Sequence, residues 1–208
     1  METYMETVLE HDMEYDTETL VLHTPVSMRR PSTVQEYCAM PEGAPYFQFI
    51  QGKAVEMPAP SIVHQDIIFN IASAIKAYLR TNAIGKVIIA PVDVHFSDSD
   101  YYEPDIVFVA NEHINIISKN RIQGAPDLVV EVLSPSTGYH DQTTKKAIYE
   151  QEGVREYWLV HPAEHRVEIL RNDGAKQGFV LHSQAQKQGV VRSAVLEGFS
   201  LALAEIFE

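Results

Sequence analysis

Leu128 to Leu133 reads L-V-V-E-V-L, a run of mostly branched apolar residues interrupted by a single ionisable side chain, Glu131. Such a run has the pattern of a strand covered on both faces. An ionised carboxylate inside it is costly unless it is paired or binds a metal. This strand therefore constrains the chain twice: it needs layers on both sides, and it needs a positive partner for Glu131. The next thirty residues supply candidates. A polar loop, S-P-S-T, leads into a helix predicted from His140 or Asp141 to Gln151 or Glu152, stopped by Gly153. Asp141, Lys145 and Tyr149 fall at four-residue intervals on one face of it. A further strand is predicted at Tyr157–Val160.

The rest of the chain supplies the layers. Thr33-Val34-Gln35-Glu36 is a capping-box pattern that predicts a short helix through Met40. Tyr46 to Ile50 and Lys53 to Met57 flank Gln51-Gly52 and read as a hairpin. Ser61 can cap a long helix to about Thr81, with Ile67, Ile68, Ile71, Ile75 and Tyr78 at helical spacing. Strands are predicted at Val87–Ala90, Val92–Phe96 and Asp105–Ala110, with S-D-S-D as a turn. Residues 111–125 are expected to form a short helix or loop. Strands at Val167–Leu170, Phe179–Leu181 and Gly189–Arg192 precede the C-terminal segment. The order of elements predicts an α/β or α+β fold with a central mixed sheet flanked by helices.

The chain has 208 residues, 45% of them hydrophobic and 22% charged, which is ordinary for one globular domain. No apolar run is long enough to cross a bilayer, and the N-terminus lacks the basic start and apolar stretch of a secretory signal, so a cytoplasmic protein is expected. Cys38 is the single cysteine, which excludes an internal disulfide and a cysteine-rich zinc site; it is expected as a small buried filler. The formal net charge is −13. Residues 1–28 hold seven of the acids and no Lys or Arg, and are expected to be a flexible acidic tail ahead of a domain at 29–208. The remaining charge of −6 is still acidic, so steering toward nucleic acid from a distance would be poor. Any basic groove must be local, from Lys145, Lys146, Lys119, Arg121 and Arg80. The tail could alternatively occupy such a groove as an internal mimic of DNA.

Asp127 and Glu131 are four residues apart on one strand, about 13 Å along it, too far to share an ion. A partner for Glu131 must come from a neighbouring strand, and Asp105, at the start of the apolar D-I-V-F-V-A, is the natural candidate. Two carboxylates on adjacent strands, about 4.8 Å apart, resist ionising together unless a cation lies between them. Oxygen-only ligands favour Mg²⁺ or Mn²⁺. Lys145 would then face a phosphate as an electrostatic stabiliser. The alternative roles are ordinary ones: Asp105 and Asp127 as turn-to-strand residues, Glu131 as the outward position of an edge strand, Lys145 as the partner of Asp141 on a solvated helix face. His64 could assist the site or be a structural hydrogen-bonded residue. His161 and His165 are expected at the surface, and Tyr157 and Trp158 in the core.

These signs occur in a familiar order: S-T-V-Q-E-Y, the hairpin F-Q-F-I-Q-G-K-A-V-E-M, P-V-D-V, E-P-D-I-V-F-V, P-D-L-V-V-E-V-L-S-P-S-T, and D-x-x-x-K-x-x-x-Y-x-x-x-G-V-x-E-Y-W-L-V. Over roughly residues 32–208 the chain resembles the PD-(D/E)XK nuclease superfamily and, within it, the Uma-type restriction endonuclease family. The resemblance implies a restriction-endonuclease-like core, Mg²⁺-dependent cleavage of DNA and a homodimer. It implies Asp105 and Glu131 as metal ligands, the carbonyl of Val132 as a third, and Lys145 as the lysine, supplied from the helix because Leu133 stands two residues past the acid. Gln48, His64 and Asp141 become supporting residues. Gln48 replaces the family's upstream acid and His161 its Asp before Pro162. The first change removes a negative charge and implies either weaker metal binding or a catalytically degenerate, dimeric binding module.

Overall fold

The structure, a computed structural model, describes residues 30–40, 46–56, 59–133, 138–174 and 177–208, and all of their side chains except those of 138–142. The expected tail at 1–28 lies outside the described residues, as do Ser134, Ser136 and Thr137. Pro31–Glu208 form one compact unit. Its elements in chain order are α1 (Val34–Cys38), β1 (Phe47–Ile50), β2 (Lys53–Glu56), α2 (Ile62–Thr81), β3 (Gly85–Ile89), β4 (Asp93–His95), β5 (Tyr101–Tyr102), β6 (Ile106–Ala110), β7 (Arg121–Gln123), β8 (Leu128–Val132), α3 (Gly138–Glu152), β9 (Glu156–His161), β10 (Arg166–Asn172), β11 (Phe179–Gln186), β12 (Val190–Arg192), β13 (Ser200–Ala202) and α4 (Leu203–Phe207).

The strands form a six-stranded sheet in the order β11-β10-β9-β8-β6-β3, a five-stranded sheet in the order β2-β1-β5-β4-β7, and a β12-β13 ribbon. The six-stranded sheet is mixed: β8 and β9 run parallel, joined through α3, and the other pairs are antiparallel. β8 is central and buried throughout. Side chains alternate between its faces. Leu128, Val130 and Val132 enter a core shared with Ile67, Ile71 and Ile75 of α2 and Ile206 of α4. Val129 enters a second core with Tyr149 of α3 and with Val94, Tyr102 and Ile122 of the other sheet. The apolar run of β8 is thus explained by a layer on each side, and Glu131 falls on the Val129 side.

Local signals set the boundaries. Ser61 accepts from the His64 amide at 3.2 Å and starts α2. Ile67, Ile68, Ile71, Ile75 and Leu79 are its buried stripe, each burial of this kind contributing roughly 1.5–3 kcal/mol. Thr33 caps α1 by accepting from Glu36 N at 3.1 Å. Gln51 and Gly52 both take positive φ, 50° and 74°, as a two-residue hairpin between β1 and β2 requires.

The structure departs from expectation in several places. α3 begins at Gly138, ahead of His140. β5 and β7 are strands that the sequence pattern does not signal. β5 is two tyrosines, too short for an alternating signal, and β7 pairs in parallel with β4 inside the segment read as helix or loop. Cys38 is exposed, not a buried filler, because it ends a five-residue helix whose buried residue is Val34. His161 is largely covered, with a side chain 15% exposed, since it joins Glu168 and Arg166 in a hydrogen-bonded group. Glu156, which the sequence presents only as a strand flank, is fully buried. It accepts from Trp158 Nε1 (2.6 Å), Ser193 Oγ (2.7 Å) and the amides of Ala194 (2.5 Å) and Val195 (2.9 Å).

Candidate active site

The centre is built at the end of β8. Ile106 of β6 pairs with Val130 of β8, and Val107 with Val129. Carrying this antiparallel register one residue further sets Asp105 opposite Glu131. Alternation puts both on the face of Val107 and Val129, under α3 and the five-stranded sheet. Asp105 Oδ2 accepts from the Val132 amide at 2.6 Å, which ties the acid to the strand carrying Glu131. Its Oδ1 lies 3.0 Å from His64 Nε2 in the first turn of α2. Two strands and two helices therefore meet at this point.

Lys145 Nζ reaches Glu131 from α3 and donates to both carboxylate oxygens, at 2.9 and 3.0 Å. One turn on, the Tyr149 hydroxyl donates to Glu131 Oε1 at 2.7 Å. Tyr149 is fully buried, its ring set edge-on to Tyr157 at 5.2 Å and near Phe96 and Tyr102 at 5.6 and 5.7 Å. Burial pushes the Glu131 carboxyl above its ordinary range; Lys145 opposes this, Asp105 adds to it, and Tyr149 again opposes. Burial of His64 works against its protonation, but the hydrogen bond and charge of Asp105 outweigh this and raise its pKa.

The predicted residues divide into two groups. Asp105, Glu131, Lys145 and His64 come together, and Val132 joins them through its backbone. Gln48 is buried and lies on the opposite face of β1 from Phe47 and Phe49, the face of Ile50, which packs against the core that includes Tyr149 and Val129. Asp141 lies in α3, with its side chain outside the described residues. The cations expected to form a basic groove come from several elements. Arg121 lies over the Tyr101 ring in the other sheet and donates to Cys38. Arg80 is sixteen residues along α2 from His64, about 24 Å up the axis. Lys119 is exposed two residues before Arg121, and Lys145 and Lys146 are both on α3.

Two contributors escape sequence reasoning. Glu103, two residues before Asp105, is pushed up to about 7 by burial, with Asp93 and Asp105 adding repulsion and Lys145 opposing it. Its signal is the i, i+2 spacing from Asp105. Tyr149 is visible as a periodic helix position, but its contact with Glu131 depends on where α3 crosses the sheet. At the opposite end of β8, Asp127 gathers a different set. Glu112, His113 and Asp127 each offer a ligand atom within 4.8 Å of the others, but Arg155 NH1 already donates to Glu112 (3.1 Å) and Asp127 (3.0 Å). Asp127 Oδ2 is taken by the Ala110 amide at 2.7 Å. A cation is built in there, and that cluster reads as structural.

Known proteins share this frame. The model of the Uma2 family, described as "Putative restriction endonuclease", matches residues 34–204. The chain belongs to the Uma2 family. A protein of Synechocystis sp. strain PCC 6803, named "Uncharacterized protein sll1609", is 25% identical over 132 residues, spanning 62% of this chain and 74% of that one. A crystal structure described as "a putative nuclease belonging to DUF820" from Anabaena variabilis superposes with a TM-score of 0.70 at 22% identity, covering 85% of this chain and 98% of that one. The fold is shared with that protein: an α+β, restriction-endonuclease-like core. Among the described residues, no helix is long and apolar enough to cross a membrane.

The donor set suits a hard divalent ion: two carboxylates on one face of adjacent strands, a neighbouring main-chain carbonyl at Val132, and no sulfur within the group. The geometry is that of a small, largely water-excluded acidic centre with one cationic side chain on a flexible stem.

Proposed function

We propose that this Uma2 family member is a metal-dependent DNA endonuclease. The observation that carries the reading is the convergence of Asp105 and Glu131 from adjacent strands with Lys145, whose ammonium is 2.9 Å from Glu131. Asp105, Glu131 and the Val132 carbonyl would hold Mg²⁺ or Mn²⁺. When bound, such an ion neutralises phosphate charge and lowers the pKa of its water. Lys145 stabilises the charge that develops on the phosphate. His64 orients Asp105 through Nε2, and Gln48 supports the ion's water shell by hydrogen bonding. A homodimer would present two such centres to the two strands of a duplex; sedimentation at micromolar concentration tests that association.

The decisive assay is nicking of supercoiled plasmid with Mg²⁺ or Mn²⁺. Glu131→Ala and Lys145→Ala are expected to abolish nicking while the far-UV spectrum and unfolding cooperativity are retained. Unchanged cleavage by both variants rejects the assignment.

One observation favours a second reading. Gln48 is neutral where the resemblance implies an acid, and the net charge of −13 disfavours long-range attraction to DNA. In that reading the protein is a catalytically degenerate, dimeric binding module. Titration with Mn²⁺ separates the two: saturable binding lost in Asp105→Asn supports the nuclease, and no binding supports the module.

A further inference from the structure

In the metal-site reading, on which this inference rests, Glu131 needs an open side for the ion, and Lys145 covers it. The ammonium donates to both oxygens of the carboxylate, at 2.9 and 3.0 Å, so it stands where a cation bound by Glu131 would also have to stand. A divalent ion on a carboxylate oxygen approaches to about 2.1 Å. An ammonium in the same place would be within a few ångströms of it, in a site that is nearly closed: the Lys145 and Glu131 side chains are 12% and 10% exposed. Repulsion between cations is poorly screened in such surroundings.

The two donors on Glu131 differ in freedom. Tyr149 donates to Oε1 at 2.7 Å from a fully buried ring packed against three other aromatics. It has nowhere to go. Lys145 has a four-carbon stem with rotatable bonds and a compact head. A carboxylate offers about four lone-pair directions; Lys145 takes two and Tyr149 one. Asp105 is anchored independently, by Val132 N and His64.

We propose that Lys145 and the divalent cation are alternative occupants of Glu131, so that cation entry releases the ammonium toward the substrate phosphate, with Tyr149 as the positioning residue that keeps Glu131 aimed during the exchange. Lys145 is then delivered to the phosphate only once the cation is in place, which orders assembly: cation first, lysine–phosphate contact second. Without a cation, Lys145 keeps two neighbouring carboxylates from repelling one another.

Competition makes a counterintuitive demand: removing the catalytic lysine should tighten metal binding. Mn²⁺ affinity is measured by calorimetry on the full chain for wild type, Lys145→Met, Lys145→Gln and Tyr149→Phe. Both lysine variants are expected to bind on the order of tenfold more tightly than wild type, and Tyr149→Phe more weakly. In parallel, Mg²⁺ is titrated into protein carrying ¹³C-labelled lysine. The Lys145 signal, assigned by its loss in Lys145→Met, is expected to move on saturation. Wild-type binding with equal or weaker affinity in both lysine variants, or an unmoved Lys145 signal at saturation, overturns the exchange and leaves the metal site standing. Absence of Mn²⁺ binding in every form overturns the metal site and the exchange with it.

Discussion

Glu131 and Glu156 are buried glutamates on neighbouring strands, β8 and β9, that project from opposite faces of the same sheet. They are satisfied by different kinds of donor. Glu156 accepts from an indole, a hydroxyl and two main-chain amides. All four donors are neutral and fixed, and three come from Ser193–Val195, so the carboxylate fastens the loop before β13 onto the sheet. Glu131 accepts from an ammonium on a flexible stem and from one phenol, with Asp105 beside it. One arrangement is a lock. The other holds one acid by a cation on a flexible stem, with a second acid, tied to His64 and the Val132 amide, beside it. Asp127 falls between them, with a charged partner in Arg155 but an amide clasp like that of Glu156. Burial of a carboxylate therefore does not by itself single out a candidate centre; the mobility and charge of its partners are what set Glu131 apart.

The sharpest break of this comparison is Glu156→Ala. It leaves four donors without an acceptor, and a stability loss of about 3–5 kcal/mol is expected by urea unfolding; a loss below about 1 kcal/mol would mean that water replaces the carboxylate. Tyr149→Phe removes one charge-assisted hydrogen bond and should cost about 1.5–3 kcal/mol in the same measurement. Glu131→Gln is expected to cost less than Glu156→Gln, because relief of burying the charge offsets the lost ion pair and Lys145 can turn to solvent on its flexible stem, while plasmid nicking is lost. Equal stability losses for Glu131→Gln and Glu156→Gln would erase the distinction between lock and site.

A further effect is a slope with pH. Glu103 in the folded chain titrates at about 7, above the ordinary glutamate value of 4.5. The folded state therefore holds this proton more tightly than the unfolded state does. Its contribution is fully present below pH 4.5 and is lost as pH rises to about 7. Urea midpoints across that interval should fall with pH less steeply in Glu103→Gln than in wild type. An unchanged slope would separate Glu103 from the acidic centre.

Much of the frame is legible in the sequence because its signals are local. Ser61 with the isoleucine stripe gives α2, Gln51-Gly52 gives the first hairpin, and the apolar run around Glu131 gives β8 the pattern of a covered strand. β5 and β7 are invisible because two- and three-residue strands carry no period, and their pairing is decided by partners elsewhere in the chain. Cys38 departs from expectation because residue type is a poor guide to position at the end of a short helix. His161 departs because its cover comes from Arg166 and Glu168 on the returning strand β10.

The amino-acid sequence alone marked β8 with the pattern of a covered strand, left an edge strand as the alternative, and offered Asp105 and Lys145 as residues of the right chemistry and spacing to partner Glu131 if it is buried. Only the tertiary structure decided that Asp105 stands beside Glu131, that Lys145 turns to Glu131 through both oxygens, and that Tyr149 donates to the same carboxylate. The reason is physical. Burial pattern and propensity are carried by residues near one another in the chain, whereas the register of β6 on β8 and the crossing of α3 over the sheet are set by packing between distant segments.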